Sequence, residues 1–226
     1  MTAAFGNKLL SPSEVRVLGT LIEKSIATPD YYPLSLNALA NACNQLTNRE
    51  PVMSLTETEV AQALEGLRVK RLGSVYHGSE SRVARYKHTL NEAILLTPAE
   101  TALLCVLMLR GPQTVGELRT RSERLFTFDS LPEVEETLQA LAARAADPLV
   151  VKLPRQPGTK ESRYTHLLSG AVETAVAREV PAAATLAPAA PSTDARMAQL
   201  EGELAAVRRE LATLQEQFAQ FRKQFE

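Results

Sequence analysis

The feature that most constrains the fold of this 226-residue chain is an internal repeat. Residues 9–18, LLSPSEVRVL, return as residues 95–104, LLTPAETALL, and residues 33–39, PLSLNAL, return as residues 112–118, PQTVGEL. Further on, Glu59-Val60 matches Glu133-Val134, and residues 85–88, RYKH, match residues 163–166, RYTH. The offsets are 86, 79, 74 and 78 residues in an unbroken order, which indicates that one module is duplicated with small changes in loop length.

Each copy contains three predicted helices whose starts are marked by capping residues. A Ser or Thr precedes each helix, where its side-chain oxygen can accept a hydrogen bond from a free backbone N–H. The first helix of each copy has Pro at its first position, where a missing N–H costs nothing. A glutamate three residues after most of these caps predicts a capping box. The caps are Ser11, Ser35, Thr56, Thr97, Thr114 and Ser130, and the glutamates are Glu14, Glu59, Glu100, Glu117 and Glu133.

The third helix of each copy is predicted to run to about Leu72 or Ala145, and a hairpin follows it. Residues 73–88 and 148–166 each contain two β-prone segments around a Gly- or Pro-rich turn. Three helices followed by a hairpin are typical of a winged helix. With 45 % hydrophobic residues, 5 % aromatic residues and no Trp, the core should consist mostly of Leu, Val and Ala, which favours helices.

The predicted fold class is therefore mainly α with small β-hairpins. We expect two tandem winged-helix domains, at residues 9–90 and 91–170, each burying its own Leu/Val stripe. A linker should follow at residues 171–194, since residues 180–194 are rich in Pro and Ala. Cys43 and Cys105 lie on apolar helical stripes and are expected to be buried.

The C-terminal residues 195–226 are predicted to form a coiled-coil helix. Apolar residues recur there at alternating spacings of three and four, which predicts a seam that needs a partner stripe. The favoured partner is a second copy of this chain, which would make a homo-oligomer, and the alternatives are folding back onto the winged helices or docking another protein. The stripe is Met197, Leu200, Leu204, Val207, Leu211, Leu214, Phe218, Phe221 and Phe225.

Three long segments resemble the YceH-like family of bacterial proteins of unknown function. They are residues 31–53, 109–125 and 155–170, and with the aligned helices the resemblance covers nearly all of residues 9–170. The resemblance implies a tandem winged-helix fold in a cytoplasmic protein, often with a C-terminal coiled coil. It implies no established activity and no assigned functional residues.

Location and chemistry are constrained by what the sequence lacks. It has two Cys, no secretory signal pattern at its start and no run of about 18 apolar residues, so a cytoplasmic protein without a membrane span is expected. His77, His88 and His166 have no metal-ligand spacing, and no phosphate-loop, nucleophile-elbow or dinucleotide glycine pattern occurs. We expect no cofactor, no metal site and no catalysis.

The leading functional hypothesis is double-stranded DNA binding by a transcription-associated regulator. Net charge is only −1, but basic residues are concentrated around the two hairpins, where they could neutralise phosphates. Acidic third helices oppose this hypothesis, although carboxylates near a helix N-terminus also complement the helix dipole. The candidate contacts are Arg49, Arg68, Lys70, Arg71, Arg82, Arg85, Lys87, Lys160 and Arg163, and the acidic residues are Glu57, Glu59, Glu65, Glu133, Glu135 and Glu136.

Two alternatives remain open. The polar loop at residues 44–51 could contact a partner through Arg49, or its Asn and Thr side chains could simply cap the turn. For the whole chain, the alternative function is a protein-interaction scaffold that uses the winged helices as docking modules. His88 and His166 stand at equivalent places in the hairpins, which predicts a structural role, and Tyr86 and Tyr164 should pack the hairpins onto the helices.

Overall fold

A computed structural model of the chain describes residues 9–76, 83–145, 147–155, 158–159 and 161–170. The chain divides into two compact units, residues 1–176 and 177–226, and the second lies outside the described residues. The predicted linker at 171–194 and the predicted coiled coil with its stripe from Met197 to Phe225 therefore lie outside the described part as well.

The first unit is mainly helical with small antiparallel sheets, as predicted. Copy one contains, in order, α1 (Pro12–Ala27), a short 3₁₀ turn (Pro29–Tyr31), β1 (Leu34–Ser35), α2 (Leu36–Cys43), α3 (Glu57–Val69) and the hairpin strands β2 (Gly73–Tyr76) and β3 (Arg85–His88). A single helical turn, α4 (Leu90–Ala93), leads into copy two. Copy two contains α5 (Pro98–Arg110), α6 (Val115–Ser122), α7 (Leu131–Ala142) and the strands β4 (Val150–Lys152) and β5 (Tyr164–His166).

The predicted caps start the helices at the expected residues. Ser11, Thr56, Thr97 and Thr114 each form a complete capping box with the glutamate three positions on. The predicted box at Ser130 is incomplete. Its hydroxyl accepts from Glu133 N, but the Glu133 carboxylate accepts from Asp129 N at 2.8 Å instead of from the cap.

The third helices end about three residues earlier than predicted. In copy one, α3 stops at Val69 because the chain turns at once into β2: Arg71 takes a left-handed conformation with φ of 60°, and Leu72 N–H donates back to Leu67 O. In copy two, α7 stops at Ala142. Apolar periodicity alone could not locate these ends, because the turn residues that follow are themselves compatible with a helix.

The two sheets repeat the same pairing. In copy one, β3 lies between β1 and β2, with Leu34 opposite Tyr86. In copy two, β4 pairs with β5, and Gln113 forms an isolated antiparallel bridge with Tyr164 at the place of the Leu34–Tyr86 pair. As predicted, the two tyrosines pack inward: Tyr164 is buried in the core, and Tyr86 is half-buried against it.

The expectation that each copy buries its own stripe is wrong, because the two stripes join in one continuous cluster of buried side chains. They join where α1 crosses α5 at close range. A Cβ on Gly19 would lie 3.0 Å from the Leu109 side chain, and the Cys105 thiol donates to Gly19 O at 3.3 Å. Cys43 and Cys105 are both buried free thiols, as predicted. Within the described parts of the chain, no helix combines the length and apolar character needed to cross a membrane.

Candidate functional site

The equivalent hairpin arginines, Arg85 and Arg163, make the same internal contact. Each Nη1 donates at 2.8 Å to a proline carbonyl in the segment before the second helix, Pro33 O in copy one and Pro112 O in copy two. Arg163 also lies 3.1 Å from the Glu117 carboxylate. These guanidinium groups therefore fasten the hairpin to its own module, while part of each side chain remains at the surface.

Two of the three basic residues at the end of α3, Arg68 and Lys70, are also paired within the molecule. Arg68 forms a two-point contact with Glu65 on the same helix, at 2.8 and 2.7 Å, with both side chains more than half exposed. This contact lowers the pKa of the Glu65 carboxyl. Lys70 donates to the Glu14 carboxylate, which joins the end of α3 to the start of α1. Arg68 and Lys70 are therefore already paired with carboxylates of the same chain.

Arg49 is not available to a nucleic acid, which corrects its place among the candidate contacts. Its side chain has no exposed area. The guanidinium holds the Glu23 carboxylate at 3.2 and 2.6 Å and donates to the carbonyls of Ala42 and Asn48. Asn44, in the same loop, donates to Leu55 O at 2.7 Å and accepts from Leu55 N at 2.8 Å. The loop is thus held by internal capping, which was the alternative interpretation.

The remaining candidates divide into two sets. Arg71 is exposed at the turn after α3, and Lys87 is half-buried on β3 opposite Ser74. Neither forms an ion pair with another described residue. Arg82 and Lys160 lie outside the described residues.

The exposed faces of the third helices are acidic. On α3 the side chains of Glu57, Glu59 and Glu65 are exposed, and Thr56 lowers the pKa of Glu59 through its backbone and hydroxyl hydrogen bonds. On α7 Glu135 and Glu136 are exposed, and the helix LPEVEETLQALA contains no Lys or Arg. Helix α7 therefore presents no positive side chain to a negatively charged partner, and the one cation within α3, Arg68, is paired with Glu65.

One Ser–His pair has the separation of a nucleophile and its base. Ser25 Oγ lies 3.1 Å from His88 Nε2, but the hydroxyl donates its hydrogen to Ile22 O at 2.8 Å. The imidazole must then donate to the hydroxyl, the reverse of activation, and its buried Nδ1 has no hydrogen-bond partner among the described residues. Burial lowers the pKa of His88. The contact holds the hairpin against α1, which agrees with the predicted structural role.

The part of the chain that the structure describes contains no candidate metal-binding site. No three or more His, Cys, Asp or Glu side chains are clustered there in a way that could hold an ion. His166 is packed against the core, its Nδ1 has no hydrogen-bond partner within the described ranges, and burial lowers its pKa to about 4. Its neutral form is the stable one at neutral pH.

The sequence did not predict an open groove between the two copies. It is lined by the last turns of α1 and α5, the loop after α2, and α6 with the loop that follows it. Its basic residues are Lys24, Arg110, Arg121 and Arg124. Arg121 and Arg124 lie together in residues 119–124, RTRSER, but its other basic residues come from the ends of α1 and α5, and the sequence does not show that these meet.

Comparisons with known proteins identify relatives over most of the described chain. A family model described as a protein of unknown function, DUF480, matches residues 10–159. A UPF0502 protein of Opitutus terrae is 54 % identical over 173 residues, which cover 76 % of this chain and 75 % of the relative. UPF0502 proteins of Geobacter sulfurreducens and Koribacter versatilis are 57 % and 58 % identical over 162 and 161 residues, covering 72 % and 71 % of this chain and 73 % and 74 % of those relatives.

Proposed function

The chain belongs to the DUF480 family, also named UPF0502, and we propose that it is a non-catalytic protein of two winged-helix units that bind a protein partner. The winged-helix proposal is supported by the order of elements in each copy. A helix, a short extended segment, two more helices and a hairpin follow one another in each copy. The extended segment pairs with the second strand of the hairpin, through Leu34 and Tyr86 in copy one and through Gln113 and Tyr164 in copy two.

The single observation that carries the protein-docking proposal is the charge of the third helices. In a DNA-binding winged helix the third helix enters the major groove, beside two rows of phosphates. Carboxylates at the exposed positions of α3 and α7 would be repelled there, and a basic protein surface would attract them. Glu65 is already paired with Arg68, and the alternative use of these carboxylates, dipole compensation, applies to the first turn and does not explain Glu135 or Glu136.

A charge-reversal experiment tests this proposal. The double variant Glu135→Lys/Glu136→Lys should release a protein that wild-type chain retains from nuclease-treated lysate, because the complementary surface is then repelled. Glu161→Lys, an exposed acid in the second hairpin, is the matched control and should retain the same protein. Retention by all three chains, or by none, contradicts docking through α7.

Binding of duplex DNA in transcription-related regulation is the second candidate function, and a specific observation favours it. Arg71, Lys87, Lys152 and Arg155 lie on or beside the hairpins and form no ion pair with another described residue. Such cations could follow a phosphate backbone while the third helices stay outside the groove. An affinity for duplex that falls steeply with salt would support this function over protein docking.

We further propose self-association through the C-terminal stripe from Met197 to Phe225, supported by its heptad spacing. A dimer would present four winged-helix units, so binding of one raises the effective concentration of the next. A cytoplasmic location is also proposed, supported by the free thiols of Cys43 and Cys105.

A further inference from the structure

The open groove between the two copies has a volume of about 780 Å³, which is within the range of small-molecule sites. We propose that it binds a small anion carrying an apolar or aromatic group, such as an aromatic carboxylate, a sulfonate or a phosphate ester. This proposal does not depend on which macromolecule the third helices bind.

Positive charge exceeds negative charge on the groove wall. Lys24, Arg110, Arg121 and Arg124 face two carboxylates, Glu23 and Glu123. The Glu23 carboxylate pairs with the buried Arg49 at 2.6 Å and with Lys24 at 3.6 Å, so the positive excess on the wall comes from Arg110, Arg121 and Arg124. The groove is therefore electrostatically suited to an incoming anion.

The guanidinium groups are crowded and have mainly neutral partners. Arg110 donates to the Asn48 side-chain oxygen and Arg121 to that of Gln113, and the carboxylate that pairs with Arg121 at 3.5 Å, Glu117, is shared with Arg163. Partial burial, and then the charges of Arg121 and Arg49, lower the pKa of Arg110. An anion placed between these groups would offset their mutual repulsion.

Helix ends account for part of this basic character. α1, α5 and α6 all end at the groove, and Lys24, Arg110 and Arg121 lie in their last turns, where a cation complements the helix dipole. The helix dipole does not explain Arg124, which is exposed and lies beyond the end of α6. It also does not explain why Arg110 lies near two other cations, Arg121 and Arg49.

The apolar part of the ligand is inferred from the groove lining. Its accessible apolar surface comes from Ala27, which is exposed, and Leu125, which is half-buried, while Val106 and Leu109 close the floor. Apolar surface beside a few convergent charges is the usual composition of a site for a small organic ion. A bare inorganic anion would leave this surface uncovered.

The experiment is a fluorescence titration of the full chain with 8-anilinonaphthalene-1-sulfonate, an anion with aromatic rings. We expect saturable binding at one site per chain. Arg110→Gln should weaken it by at least about tenfold, because a charge-assisted contact is lost. Arg124→Gln, which removes an exposed guanidinium, should weaken it about threefold. Arg155→Gln removes the same charge from the second hairpin, outside the groove, and should leave binding unchanged.

Three results would overturn the proposal. One is the absence of saturable binding up to about 1 mM probe. Another is equal affinity for the uncharged analogue N-phenyl-1-naphthylamine, which would make the groove merely apolar. The third is equal binding by wild type, Arg110→Gln and Arg124→Gln when circular dichroism shows that all three are folded. If Arg110→Gln unfolds, Arg124→Gln decides the matter alone.

Discussion

The Arg49 guanidinium lies 2.6 Å from the Glu23 carboxylate with no part of the arginine side chain exposed. Arg49→Ala would leave the Ala42 carbonyl without its side-chain donor and the Glu23 carboxylate with only Lys24, 3.6 Å away, as an ion-pair partner among the described residues. We expect it to lower the free energy of unfolding by about 3–5 kcal/mol, and Arg49→Lys by less, since a lysine keeps the charge but not the planar fork. Urea denaturation measures both.

The control for this prediction is Arg155→Ala, an exposed arginine whose loss should change stability by less than about 0.5 kcal/mol. If Arg49→Ala were as mild as that control, the side chain would be free to serve a ligand and its structural role would be refuted.

A close contact between helices predicts opposite effects at two glycines. A Cβ at Gly66 of α3 would collide with the buried Glu14 carboxylate, which closes the α1 capping box and pairs with Lys70. Gly66→Ala should therefore cost about 1–3 kcal/mol. A Cβ at Gly116 of α6 would meet no other described atom within 4 Å, so Gly116→Ala should raise the free energy of unfolding by about 0.4–1 kcal/mol. Thermal unfolding of both variants that gave the reverse order would contradict the contact.

The buried imidazole of His166 predicts a pH-dependent stability. Its pKa is about 4 in the folded chain, below the value of about 6.5 expected when unfolded. Between these values the unfolded chain binds more protons, so stability should fall by about 2–3 kcal/mol as pH drops from about 6.5 to about 4. The wild type should lose more stability over that window than His166→Gln, measured by denaturation at several pH values. Parallel curves would rule out this contribution.

The coiled-coil proposal predicts that the oligomer depends on the stripe. Leu204→Asp/Leu211→Asp places charges in the predicted seam and should reduce the full chain to a 24.7 kDa monomer in sedimentation velocity. Ala206→Asp/Thr213→Asp adds the same charges two positions away, outside the stripe, and should keep the wild-type state. A monomeric wild type would contradict self-association.

Elements with local signals could be predicted from the sequence. Ser11, Thr56, Thr97 and Thr114 cap helices through bonds to residues three positions away, so their effect is legible in a short window. The repeat also relates Arg85 to Arg163, whose contacts to Pro33 and Pro112 turn out to be equivalent.

Features that depend on distant residues could not be predicted in this way. Cys105 meets Gly19 across 86 positions, and that approach joins two stripes that periodicity treats as separate. Arg49 looks like a free loop cation until Glu23 of α1 is placed beside it. The groove is assembled from the ends of α5 and α6 and the distant end of α1, so no pattern of spacing within one copy reveals it.

The most direct test of the protein-docking proposal is fluorescence anisotropy of a labelled duplex titrated with the full chain at two salt concentrations. With acidic third helices and mostly paired arginines, we predict no binding tighter than about 10⁻⁴ M at about 50 mM salt. Tighter binding that falls steeply by about 200 mM salt, and that Arg82→Ala, Arg85→Ala and Lys160→Ala weaken, would contradict the proposal and favour the DNA-binding function.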